Sequence, residues 1–315
     1  MSKLRTIFMG TPEFAVPCLQ KLLERTDVQL VVTQPDRPKG RGQKMVPPPV
    51  KIVAEEAGIT VFQPVKVREA EAVERIRAVA PDLIVVVAFG QILPKDILDI
   101  PVYGCINVHA SLLPKYRGAA PMQWAILHGE TETGVTTMFM DEGLDTGDML
   151  LSEKFSISPD MTAEELHDAM MPLGADVLAR TVSAVEAGTL ERTPQDDAAS
   201  SYASMLTKEL GAIDWTKPAQ ELHNLVRGLN SRPGAYAVLA DEDKLKIWHT
   251  RLPAATPEGL AEGGIGDIVG RSKDGFYVKT GAGLLEVVEV QPPNRKKMRA
   301  ADYLRGLSGS LQFAK

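Results

Sequence analysis

The sequence predicts an α/β protein followed by a small β-rich unit, and three observations carry that prediction. As far as residue 188, β-branched apolar runs alternate with amphipathic helical stretches, the pattern of a parallel sheet covered by helices on both faces. Residues 82–89 are almost continuously apolar, as a strand buried on both faces must be. Past residue 206, one helical stretch gives way to five short strand-like runs separated by Gly, Pro and Asp turns, the spacing of a small antiparallel barrel. Together they define a Rossmann-like, doubly wound, mostly parallel sheet followed by an OB-like β-barrel. The expected boundaries are 1–194 for the first domain, 195–206 for a polar, non-periodic linker and 207–315 for the second.

Taken in order, residues 5–9 and 28–33 read as strands around a helix over 13–25, in which Phe14, Leu19, Leu22 and Leu23 recur at helical spacing. Pro12 suits the first turn of that helix. Gly10 is not followed by the Gly-x-x-Gly that close approach to a pyrophosphate requires, which excludes a dinucleotide site. Residues 34–49 hold Arg37, Lys39, Arg41 and Lys44, one acid and five prolines, with no hydrophobic period. A loop of this length is either a solvated insertion or a flexible basic arm that closes on phosphates. Helices are expected over 50–57 and 69–79 with a short strand at 61–62 between them. The strand at 82–89 ends in a loop, 90–94.

Residues 104–121 begin as a strand and become a loop punctuated by Ser111, Pro114, Gly118 and Pro121. A helix over 122–128 and a strand over 133–140 follow. The loop 141–148 then carries four carboxylates and two glycines. Residues 162–188 form a long amphipathic helix with a break expected near Pro172. In the second domain a helix spans 219–229 and strands span 235–239, 244–249, 266–270, 275–279 and 284–290. Four cations in five residues, Arg295, Lys296, Lys297 and Arg299, precede a last helix at 301–307.

Of 315 residues, 44 % are hydrophobic and 24 % charged, which excludes a disordered chain, and no apolar run approaches a membrane span. The N-terminal residues lack the pattern of a signal or transit segment, so a cytoplasmic protein is expected. Cys18 and Cys105 lie in apolar surroundings and read as reduced, buried thiols. No His or Cys cluster has metal-ligand spacing, so no metal is expected. Residues 207–315 carry 16 Lys+Arg against 13 Asp+Glu, whereas the rest carries 19 against 28. That asymmetry points to a polyanionic partner for the second domain.

Asn107 and His109, two residues apart on a strand, share one face and converge with Ser111 where the strand ends, the place where open α/β sheets bind ligands. A carboxylate from 141–148 joins them if the two strands are neighbours. The set suits acyl transfer: an amide donates to a developing oxyanion, and an imidazole held by a carboxylate moves a proton. Without a Gly-x-Ser-x-Gly elbow, Ser111 lacks the setting of a nucleophile, which favours direct transfer to an amine. On residue type alone, His109 as a hydrogen-bonded structural histidine competes with the catalytic reading. His128, His167, His223 and His249 read as structural.

Asn107-x-His109-x-Ser111-Leu-Leu-Pro114, continued by Tyr116-Arg117-Gly118 and followed by Asp145-x-Gly147-Asp148, resembles the signature of the formyltetrahydrofolate-dependent transferases. Gly10 to Ala15, Gln34 to Pro38, Ala88 to Pro94, Ile213-Asp214-Trp215 and Gln291-Pro-Pro are similar, in order, to the branch that acts on methionyl-tRNA. The resemblance implies a catalytic trio of Asn107, His109 and Asp145, and 10-formyltetrahydrofolate as formyl-donor co-substrate. It places that folate against Ser111, Leu112, Leu113 and Pro114 and against Phe89, Gly90, Gln91, Ile92 and Leu93. It implies methionyl-initiator-tRNA as partner, held by Arg37, Lys39, Arg41, Lys44, Lys208, Arg295, Lys296, Lys297 and Arg299, with the protein a monomer. Two departures stand out: Leu210 where a second acid is expected, and Ser231-Arg232 where relatives commonly carry Pro-Trp. The alternative acceptor is an amino-sugar nucleotide.

Overall fold

A computed structural model of the chain describes residues 3–40, 42–230, 232–307 and 311–314. β1 (Arg5–Gly10) leads through a tight turn to α1 (Val16–Arg25) and β2 (Asp27–Val32). β3 (Arg37–Lys39) and β4 (Lys44–Val46) precede α2 (Pro49–Glu56), β5 (Val61–Phe62), α3 (Ala70–Ala78), β6 (Leu83–Val87) and α4 (Lys95–Leu98). Then come β7 (Cys105–His109), β8 (Arg117–Gly118), α5 (Pro121–Leu127), β9 (Glu132–Phe139), β10 (Met149–Ser156) and α6 (Ala163–Ala187). After β11 (Tyr202–Ala203) and α7 (Ala219–Gly228) the chain forms β12 (Ala235–Val238), β13 (Lys244–Arg251), β14 (Ile268–Arg271), β15 (Phe276–Lys279), β16 (Leu284–Gln291), β17 (Met298–Arg299) and α8 (Ala300–Arg305). Among the described residues no helix is long and apolar enough to cross a membrane.

The chain divides into two compact units, the first made of 1–118, 133–155 and 167–203. Its seven-stranded sheet has the order β10-β9-β7-β6-β1-β2-β5. β1 pairs in parallel with both β2 and β6, and β7 joins β6 in parallel. Because β2 and β5 lie on one side of β1 and β6 and β7 on the other, the winding reverses between β1 and β6 and opens a crevice at their C-terminal ends. All five residues of β6 are buried, which explains the unbroken apolar run. Gly10 closes β1 where any Cβ would press on the Phe8 ring at 2.7 Å and the Val87 carbonyl at 2.9 Å. Its absent side chain serves strand and helix packing, not phosphate approach. Cys18 and Cys105 are buried and free, and burial pushes both thiols up to about 12.

Four expectations change. The basic segment 34–49 contains an antiparallel hairpin, β3 with β4, in which the Lys39 backbone pairs with Lys44. α6 runs unbroken through Pro172. Its start is set by a reciprocal cap in which the Thr162 N–H donates to Glu165 at 2.8 Å and the Glu165 N–H to the Thr162 hydroxyl at 3.2 Å. β10 is an additional strand, weakly marked in sequence because it alternates half-buried and exposed residues at the sheet edge. Residues 195–203 do not form a free linker: β11 pairs in parallel with β8, so this stretch belongs to the first unit.

The second unit comprises 119–132, 156–166 and 204–315. Its strands follow the order β12-β13-β16-β15-β14, with β17 also on β16, and the pairings are antiparallel, compatible with the expected OB-like form. β13 alternates, turning Leu245 and Ile247 into a core with Trp215, Leu222, Phe276 and Val287 while Lys244 and Lys246 face out. α7 packs on α5 at Gly228, where a Cβ would meet Leu127 and Ile126 within 3.2 Å.

α7 also carries a buried polar group, His223, whose Nδ1 lies 3.0 Å from the Thr250 hydroxyl. Its Nε2 faces the Pro159 carbonyl and Asp160, each at 3.3 Å. Arg227 on the same helix donates to the Met161 and Ser158 carbonyls at 3.0 and 3.4 Å. Burial holds the His223 pKa below its ordinary 6.5, and the charges of Arg227 and His249 add to that against Pro159 and Asp160. The unfolded chain therefore binds this proton more tightly than the folded one. The neutral ring's contribution to stability is present above pH 6.5 and is lost as pH falls through the folded value. Thermal unfolding of the full chain followed from about pH 8 to pH 5 is expected to show stability falling with pH, with a shallower fall in His223→Asn.

Candidate active site

β7 ends in the middle of its sheet, between β6 and β9, and delivers Asn107 and His109 there. The loop after β9 brings a carboxylate to the same point, because β9 runs antiparallel to β7 in adjacent register, with His109 opposite Thr136 and Asn107 opposite Met138. That carboxylate is Asp145. Its Oδ2 accepts the Gly118 N–H at 2.8 Å and lies 3.6 Å from His109 Nδ1. Its Oδ1 lies 3.4 Å from the Asn107 amide nitrogen, a long contact that the amide can leave at little cost. The opposite ring nitrogen, His109 Nε2, sits 2.9 Å from the Tyr116 carbonyl. A carbonyl only accepts, so Nε2 carries a proton and Nδ1 addresses the carboxylate. His109 is buried and Asp145 and Asn107 are partly exposed, which leaves the carboxylate and amide open to a ligand while the ring is fixed from behind.

The Asp145 loop is itself held in place. Asp145 has φ +55°, the left-handed region that Asp tolerates better than most residues. Gln195 donates from one amide nitrogen to the Asp145 carbonyl at 2.8 Å and the Gly147 carbonyl at 2.7 Å. Gln195 in turn accepts from Arg117 Nε at 2.9 Å, and Arg117 pairs with Asp197 at 2.8 Å. Gly147 admits no side chain because a Cβ would overlap the Phe139 carbonyl. Gly118, at φ +118°, would put a Cβ 2.6 Å from the Ala203 carbonyl. Sequence reading missed Gln195: it lies in a polar, aperiodic stretch, and only the β8–β11 pairing draws it to the loop.

The two stretches expected to face a folate have mixed placements. Phe89 and Leu93 are buried in the core cluster with Ile7, Met9 and Ile84. The Phe89 carbonyl accepts from Thr11 at 2.9 Å and from Gln34 at 3.2 Å. Gln91 ties the neighbouring loop down by accepting from the Val67 N–H at 2.8 Å and donating to the Pro64 carbonyl at 3.2 Å. Ile92, 83 % exposed, and the open backbone of Gly90 are what this stretch presents outward. Ser111 is fully buried and its hydroxyl donates to the Lys115 carbonyl at 2.7 Å, so it shapes the turn. Leu113 is buried too, leaving Leu112 and Pro114 half-buried.

The expected tRNA contacts fall in both units. Arg37 donates to Gln34 at 3.2 Å, Lys44 is exposed on β4, and Arg41 lies outside the described residues, as does Ser231. Lys208, Arg295 and Lys296 are exposed in the second unit. Lys297 lies 3.8 Å from the centroid of the Trp248 ring. Arg299 is engaged by Asp302 at 3.0 Å, and Asp302 also pairs with Arg305, so its charge is partly neutralised within the protein.

A fold and a site of this kind define a formyl transferase. The family model described as "Formyl transferase" matches residues 3–182, and "Formyl transferase, C-terminal domain" matches 205–308. The chain is 56 % identical over 304 residues to the methionyl-tRNA formyltransferase of Geotalea daltonii, covering 96 % of this chain and 95 % of the relative. It is 53 % identical to that of Geobacter sulfurreducens, covering 97 % and 95 %, and 50 % identical to that of Clostridioides difficile, covering 96 % and 97 %. The chain belongs to the methionyl-tRNA formyltransferase family. Among solved structures, WlaRD, a sugar 3N-formyl transferase, matches at TM-score 0.68 and 19 % identity, covering 94 % of this chain and all of its own. HypX from Aquifex aeolicus in complex with tetrahydrofolic acid matches at 0.63 and 17 %, covering 100 % of this chain and 51 % of that one. At these identities the likeness is one of fold.

Because Gln195 meets the Asp145 loop through backbone carbonyls and otherwise bonds Arg117, it is a positioning residue. Gln195→Ala is expected to lower kcat by up to about a hundredfold with little change in KM. Gln195→Glu, which keeps the length but not the donor, is expected to behave alike, and a loss confined to thermal stability would remove the assignment.

Proposed function

We propose that the protein transfers the formyl group of 10-formyltetrahydrofolate to the free amino group of methionyl-initiator-tRNA. The observation that carries this reading is the single carboxylate of Asp145 meeting Asn107, His109 and the Gly118 N–H at the end of β7. Relatives bearing that name at 50–56 % identity over nearly the whole chain support the acceptor.

When bound, 10-formyltetrahydrofolate supplies an activated formyl carbon. The donor set suits it: exposed Ile92, the open backbone at Gly90 and half-buried Leu112 and Pro114 offer an apolar surface for a flat ring. Asn107 then turns its amide from the long Asp145 contact to the formyl oxygen, where a developing negative charge is stabilised by about 3 kcal/mol. Asp145 accepts the proton that the attacking amine must lose as its nitrogen bonds to the formyl carbon. Asp145 returns that proton to the leaving nitrogen as its bond to the formyl carbon breaks, while His109, with Nε2 held by the Tyr116 carbonyl, keeps Nδ1 beside the carboxylate and orients it. Ser111, with its hydroxyl committed to Lys115, takes no nucleophilic part.

Arg37, Lys44 and Arg41 of the basic segment, with Lys208, Lys296 and Lys297, would hold the phosphates of the tRNA. The same reading has the protein act as a monomer in the cytoplasm.

Incubation with labelled 10-formyltetrahydrofolate and either methionyl-initiator-tRNA or an amino-sugar nucleotide tests the acceptor. Label is expected in the tRNA alone, and label in the sugar would reverse the reading. Asp145→Asn is expected to cut turnover by about 10² to 10⁴-fold. Unchanged turnover would remove Asp145 from the proton path.

A further inference from the structure

The second unit contains a cavity of about 720 Å³ whose lining, Lys208 apart, has no part in the reading above. Its cations are Lys208, Arg232, Lys244 and Lys246. Lys244 and Lys246 converge because they alternate on the outer face of β13, opposite Val238 and Tyr236 of β12. Lys244 Nζ stands 4.3 Å from the centroid of the Tyr236 ring and Lys246 Nζ 5.3 Å from that of Trp248, contacts that draw both ammonium groups inward to the ring faces. None of the four makes an ion pair among the described residues; the one carboxylate whose charge acts on Lys208 and Lys244, Glu209, is engaged first by its own backbone N–H and by Thr207. Four cations gathered beside a single carboxylate keep a net positive charge, and an anion relieves their repulsion.

The rest of the lining is of a different kind. Pro292 and Pro293 contribute saturated, apolar rings that carry no N–H. Gln291, the amide next to them, is already spent: its oxygen accepts from Trp248 Nε1 at 3.1 Å and its nitrogen donates to the Arg295 carbonyl at 2.8 Å. A site that combines cations with apolar rings recognises charge and a planar face. The volume lies within the range of small-molecule sites.

We propose that this cavity seats one unstacked nucleotide, with its phosphate on Arg232, Lys208, Lys244 and Lys246 and its base against Pro292 and Pro293. The ligand chemistry is that of a nucleoside monophosphate, whose source is either the bound tRNA or a free nucleotide. The tRNA assignment rests on the function proposed above; binding of the nucleotide itself does not.

Calorimetric titration of the full chain with adenosine monophosphate, adenosine and inorganic phosphate tests the site. The monophosphate is expected to bind at least about tenfold more tightly than either fragment, and Arg232→Ala or Lys246→Gln to weaken it by about tenfold with thermal unfolding unchanged. Binding no tighter than that of phosphate, or binding indifferent to both substitutions, overturns the proposal. A steady-state arm identifies the source. Competitive inhibition by the monophosphate against tRNA, with KM for tRNA raised in Arg232→Ala, assigns the site to a nucleotide of the tRNA, and saturation of the site without inhibition assigns it to a free nucleotide. The calorimetry needs neither formyl donor nor charged tRNA, so a failed formylation assay leaves it intact.

Discussion

The structure of the site depends on one carboxylate held in a left-handed backbone conformation. Asp145 is the point at which the end of β7, the loop after β9 and the turn at Gly118 meet, and its two oxygens meet an amide, an imidazole and a backbone N–H. The strongest of these, to Gly118, is a charge-assisted bond to the main chain and so orients the carboxylate whatever the side chains do. His109 is then fixed from both sides, and Asn107 is left with the weakest tie. The group that must move to a substrate oxygen is the one least bound in the resting site.

Support for that carboxylate reaches well beyond its own loop. Gln195 holds the Asp145 and Gly147 carbonyls of the loop, Arg117 holds Gln195, and the β8–β11 pair aligns the segments that carry them. Gly118 and Gly147 have no room for a side chain because each lies against a carbonyl of a neighbouring segment. A loop that looks polar and open is over-determined by backbone contacts, as a site that must keep donors and acceptors within a fraction of an ångström requires.

Much of the fold was legible because burial leaves a periodic trace. β6, buried throughout, reads as continuous apolar sequence, and β13 reads as alternation because one face meets the core. What left no such trace was missed. β10 is an edge strand with no fully buried residue, and the hairpin of β3 and β4 lies in a stretch rich in proline and charge. Pro172 carried a false signal: a break was expected, but packing keeps the helix continuous, with Gly174 of α6 only 3.5 Å, measured from a would-be Cβ, from Val108 of β7.

Residue type and spacing by themselves pointed to acyl transfer, with an amide and an imidazole two apart on a strand and a carboxylate loop on a later one, but left a structural His109 open. They also determined the class of fold. Residue types left open which of four carboxylates joins the pair; the family resemblance named Asp145, and the register of β9 against β7 and the contacts that position the following loop bring it there. Only the tertiary structure decided that Phe89, Leu93 and Ser111 face inward, and that Gln195 belongs to the site and not to a linker. The reason is physical: side-chain chemistry is a property of a residue, whereas direction and proximity are properties of packing, which distant segments share.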